Sequence, residues 1–145
     1  MTKTNFGILV HGGAGSNKRK TKQSFNETEI GKKIGQAACI GFDILKCTVH
    51  TNSNNNKANT FALDAVERAV AVMEDSGLFD AGIGGSYLTA DAEIEMDASI
   101  MNGKDLSAGS VGMVQNIQNP IKLARLVMEH TDHVMLVSDG VTQLA

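Results

Sequence analysis

Apolar residues recur along this chain in two rhythms, and their order limits the fold more than any other feature. Ile30, Ile34, Ala37, Ala38, Gly41, Ile44 and Leu45 keep helical spacing, which predicts a helix over about Phe25 to Lys46 opened by the capping box Ser24-x-x-Glu27. Leu63, Val66, Val70 and Met73 form a second helical stripe over about Phe61 to Glu74. Asn119 and Pro120 suit the N-cap and first position of a third helix, to about Glu129. Between these lie strand-like runs. Phe6–Val10 reads as a buried strand ending at the glycine turn His11–Gly15. Glu93–Met101, Ser107–Ile117 and a last buried run, His133–Ser138, read as three more. The order predicts one layered α/β domain over residues 1–145, its strand glycines marking close backbone packing.

Two segments fit neither rhythm. The Asn-rich stretch His50–Thr60 has too little apolar surface to bury, so a mobile loop is expected at about 48–59. The other stretch, Gly77–Tyr87, sets Gly77, Gly82, Gly84 and Gly85 around one carboxylate, Asp80, shortly after the second helix.

Composition excludes several functions. Net charge is −3 and basic residues cluster only at Lys18–Lys22, which argues against a nucleic-acid partner. No apolar run approaches the ~20 residues of a membrane span. Met1–Gly15 does not read as a secretory signal, so the expected compartment is the cytoplasm. Cys39 and Cys47 fall on one helix, ~12 Å apart at its rise per residue. A disulfide needs Cα atoms within ~7 Å, so free thiols, buried or half-buried, are expected.

The glycine stretches satisfy neither the phosphate-loop nor the dinucleotide pattern. His130 and His133 span a helix end and a strand start without Cys or further carboxylates beyond the adjacent Glu129 and Asp132, so no metal site is expected. His11, between a strand and two glycines, reads as structural. Glu93, Glu95 and Asp97 alternate along one strand face, and a buried, hydrogen-bonded Asp97 is expected.

Four stretches, "HGGAG", "ALDAVERAVAVMEDSGLFDAGIGG", "EIEMDASIMNGKDLSAGSVGMV" and "NPIKLARLVMEHTDHVML", together closely resemble the plant-type asparaginases, or isoaspartyl peptidases, of the N-terminal nucleophile hydrolases. The resemblance covers Phe6–Gly15 and Ala62–Ala145. It implies an αββα four-layer sandwich, of which this chain supplies about half. It also implies a precursor that cuts itself in two, exposing a threonine whose own α-amine serves as general base. The implied substrates are L-asparagine and β-aspartyl (isoaspartyl) peptides, with no organic cofactor. No threonine here suits the nucleophile, so the chain is expected to be the α subunit, or a fragment of it, with a β chain completing an (αβ)₂ assembly. The competing expectation is a non-catalytic half that binds a partner or small amide without turnover.

The resemblance also gives the glycine stretch a role. In bacterial members the matching loop turns main-chain carbonyls onto a sodium ion; the positions here are Met73, Glu74, Ser76, Phe79, Ala81 and Ile83. His11, Gly12 and Gly13 form the implied glycine turn near the site. Asp80 stands where the family usually has an oxyanion-stabilising Asn. An ionised Asp accepts hydrogen bonds but cannot donate one.

Overall fold

A computed structural model of the chain describes residues 6–13, 27–50, 57–85, 89–90, 93–142 and 144. Among the described residues four α-helices and three strands follow one another: α1 (Glu27–His50), α2 (Lys57–Glu74), β1 (Met96–Met101), β2 (Ala108–Val114), α3 (Pro120–His130), β3 (Met135–Val137) and α4 (Asp139–Thr142). A single 3₁₀ turn, Gly82–Gly84, precedes β1. Ser24 of the expected capping box and the basic cluster Lys18–Lys22 lie outside the described residues. The helices reach into both ends of the Asn-rich stretch, and its centre, 51–56, lies outside the described residues too. No described helix is long and apolar enough to cross a membrane.

The sheet runs β1-β2-β3. β1 and β2 form an antiparallel hairpin pairing Ala98 with Val111 and Ile100 with Gly109. β3 joins β2 in parallel, pairing Leu136 with Val111, and α3 makes the crossover that a parallel connection needs. One face of the sheet packs on α3: Ile100, Val111, Ile121, Ala124 and Val127 are each at most 6% exposed. Contact there is close enough to require glycine. A Cβ on Gly109 would overlap the Ala124 carbonyl oxygen and lie 2.5 Å from the Met128 nitrogen. A second cluster joins α1 to α2 through Ala37, Ala69, Met73 and Phe79. Gly41 permits that approach, since its Cβ would lie 2.9 Å from the Ala65 carbonyl oxygen.

Three expectations need correction. Phe6–Val10 forms no ladder with any described residue. Its alternation survives: Ile8 and Val10 pack on the second cluster while Leu9 is 91% exposed, so only one of its faces is covered. β3 is not buried, because it is an edge strand whose Met135 and Val137 point away from α3. Cys39 and Cys47 are free thiols as expected, but both are exposed. The sheet face opposite α3 carries exposed Met101, Met113, Met135 and Val137.

Candidate active site

The segment from Met73 to Gly85 is a loop closed on itself. Ser76 begins it by donating both its backbone N–H (3.1 Å) and its hydroxyl (2.7 Å) to the Met73 carbonyl. Leu78 N–H then donates to Ser76 Oγ, and Gly77 takes the left-handed conformation (φ +68°) that stops a helix. Phe79, 6% exposed, anchors the far side. Gly82 (φ +57°) lies on the loop's own beginning: a Cβ there would sit 2.5 Å from Glu74 Cβ and 2.7 Å from the Glu74 carbonyl oxygen. At Gly84 it would overlap the Phe79 carbonyl oxygen. These two glycines let the loop wind back over its own carbonyls.

The glycine turn His11–Gly13 abuts this loop. A Cβ on Gly12 would meet Ile34 at 2.8 Å and the Phe79 ring at 3.0 Å. Gly13 (φ +100°) donates its N–H to His11 Nδ1 at 3.1 Å, which leaves a neutral His11 with its proton on Nε2. So the structure brings together the two glycine stretches singled out from sequence. Asp80, next to Phe79, is exposed. A cleft of about 530 Å³ beside the loop is lined by Gly82, Ile83, Glu93, Ile94 and Met96 among others; Asp80 is not one of them.

The beginning of the loop touches α3. Glu74 is 3% exposed and its Oε1 accepts the Ile121 N–H at 3.1 Å. Burial pushes its carboxyl above the usual 4.5, against the opposing pull of the Ile121 N–H and of the nearby Asn119 side-chain amide. Asp75 Oδ1 accepts from Asn119 and Gln118, both at 2.9 Å, which holds that carboxyl below the usual range. Asn119 is the N-cap of α3, as expected, yet its side chain caps no amide of its own helix. Sequence reading missed this junction. Its signal was two acids ending a helix with no base in the last turn, against the helix dipole.

The other candidates fall elsewhere. Asp97 is exposed rather than buried, because its strand face is the uncovered one; its Oδ1 accepts the Met113 N–H at 2.9 Å across a β-bulge. Glu95 accepts from Gln115, and Glu93 is exposed. His130 and His133 are exposed, and the described residues contain no group of three or more His, Cys, Asp or Glu placed for a metal ion.

Two glycine stretches, a strand pair and a Pro-initiated helix thus share one structure, in the order noted from sequence. The family model for asparaginase matches residues 4–145. The chain belongs to the asparaginase family. Among its relatives are the isoaspartyl peptidase/L-asparaginase of Bos taurus, 46% identical over 95% of this chain, and that of Homo sapiens, 45% identical over the same share. The plant-type L-asparaginase of Pyrococcus horikoshii is 41% identical, again over 95% of the chain. This asparaginase-family chain spans about 40% of the length of each of the three.

Proposed function

We propose that this chain is the α subunit of an amidohydrolase that cleaves L-asparagine and β-aspartyl (isoaspartyl) dipeptides, with the threonine nucleophile on a β chain cut from the same precursor. The family match over 4–145 carries the reading. A second observation supports a partner. The apolar residues Met101, Met113, Met135 and Val137 stand about half exposed on the sheet face opposite α3. Face-to-face packing of a second sheet from the β chain would cover them, giving the four-layer sandwich and then (αβ)₂.

On this reading the β chain supplies the nucleophile: its terminal amine takes the hydroxyl proton as the threonine oxygen adds to the side-chain amide carbon, the C–N bond breaks as that proton passes to the departing ammonia or amine, and water then hydrolyses the acyl-threonine ester. This chain supplies the loop Met73–Ile83. By resemblance, main-chain oxygens of Met73, Glu74, Ser76, Phe79, Ala81 and Ile83 would hold a hard cation, and the close return of Gly82 and Gly84 onto the Glu74 and Phe79 carbonyls is the loop winding that such a site would need. Sodium there would be structural, and it predicts a higher melting temperature in sodium chloride than in tetramethylammonium chloride at matched ionic strength. Equal melting in both salts would remove the ion from the proposal.

Asp80 occupies the oxyanion-stabilising position. As a carboxylate it faces developing negative charge without a proton to donate, where a lost donor alone costs about 10²–10³ in rate. The expected enzyme is therefore slow. Asp80→Asn in the assembled protein should raise kcat for asparagine by ~10²-fold. An Asn variant no faster than its parent would take the role from Asp80. Absence of turnover in both proteins, with the chains assembled, would favour the second reading that Asp80 also supports, a half that binds without hydrolysis.

A further inference from the structure

Glu74 makes an arrangement that the loop's carbonyl chemistry does not require. Its side chain leaves the end of α2 and satisfies an amide of α3, 47 residues along the chain. Ile121 N–H is one of the unpaired first-turn donors of α3. The helix's own N-cap, Asn119, turns instead to Asp75. Glu74 Oε2 is meanwhile buried with no hydrogen-bond partner among the described residues. Burying a carboxylate oxygen unsatisfied is unfavourable, so the site is poor as a stabilising device. It is good as a fastener. Gly82 lies directly on Glu74 Cβ and its carbonyl, so the returning end of the loop takes its position from Glu74. Phe79 is wedged against Gly12 and fixes the opposite side. Asp80 lies between these two fixed points.

We propose that the Glu74 side chain is a positioning residue, which by bonding the Ile121 N–H pins the 73–85 loop to the N-terminus of α3 and so sets where Asp80 stands. The catalytic part of this inference rests on the asparaginase reading above; the structural part does not.

The test uses the complete protein, this chain together with the rest of its polypeptide. Glu74→Leu keeps the volume but removes the acceptor, while Glu74→Gln keeps an acceptor for Ile121. The Leu variant should exchange its Ile121 amide and its 76–85 amides ~10-fold faster or more, with β1 and β2 protected as before. In the Asp80→Asn background, where residue 80 can donate to the oxyanion, the Leu substitution should lower kcat for asparagine ~10-fold or more while KM stays within about threefold, since misplacement of a positioned donor acts on the rate. The Gln variant should recover both. Should the Leu variant not fold, Glu74→Asp, whose shorter arm withdraws the acceptor, is read in the same way. Unchanged exchange at 76–85, a rise spread evenly through β1 and β2, or a Gln variant no better than Leu would each overturn the proposal. If no variant turns over asparagine, the exchange pattern still decides the fastening, and only the asparaginase reading fails.

Discussion

Gly109→Ala adds one methyl group where the sheet and α3 touch. The new Cβ would lie 2.5 Å from the Met128 nitrogen and 2.7 Å from Met128 Cβ, and would overlap the Ala124 carbonyl oxygen. Most of these atoms are helix backbone, so no rotamer change relieves the clash. The helix must move by about 1 Å to restore ordinary contact, and a gap of that size forfeits a quarter to a half of each dispersion well along the seam. Ile121, Ala124, Val127 and Val111, all at most 4% exposed, lie in that seam. Overpacking of this kind costs about 1–3 kcal/mol, and backbone partners place it at the upper end, ~3 kcal/mol. Alanine recovers about 0.5–1 kcal/mol through its better strand propensity. The expected net loss is ~2 kcal/mol. Gly103→Ala is the control: its Cβ meets nothing within 4 Å, and its φ is outside the left-handed region. It should gain about 0.4–1 kcal/mol from reduced unfolded-state entropy. Urea unfolding of the complete protein measures both. If the two variants fell within ~0.5 kcal/mol of each other, the close approach of α3 to β2 would be wrong.

Arg125 joins α2 to α3 by bonding Asp64 (2.6 Å), Glu67 (2.9 Å) and Glu129 (2.8 Å) from a side chain only 13% exposed. Burial disfavours its charge, but the bonds to Glu129, Asp64 and Glu67 outweigh that and raise its pKa. Arg125→Met leaves three carboxylates facing one another and should cost ~2 kcal/mol in urea unfolding, less than for a fully buried pair because the acids are partly wet; Arg125→Lys, without the planar fork, should recover only part. Asp105 accepts the N–H and hydroxyl of Ser107, and those bonds hold its carboxyl below the usual 3.8. A depressed folded value means the contribution is present above pH 3.8 and is lost as pH falls through the lowered value. The Ser107 amide resonance should therefore shift in strong acid, and a flat profile down to pH 2 would count against the bond.

Much of the architecture was legible before any coordinates, because period alone separates the elements. The stripe Leu63, Val66, Val70, Met73 predicted a helix, which forms, but its buried face carries Leu63, Ala65, Ala69 and Met73 while Val66 is 40% exposed; Pro120 can open a helix but not continue one. The glycines at 82 and 84 announced a tightly wound loop for the same local reason. What sequence could not say was which face of each strand finds a cover. Phe6–Val10 and His133–Ser138 read as buried runs, yet Leu9 is 91% exposed and Met135 56%. Burial is a property of neighbours, and a strand's pattern does not name them. Asp97 likewise keeps its hydrogen bond but not its burial. The Glu74 junction lay furthest out of reach. An acid at the end of α2 and an amide at the start of α3 are 47 positions apart, and only the tertiary packing brings the Glu74 Oε1 within 3.1 Å of the Ile121 nitrogen.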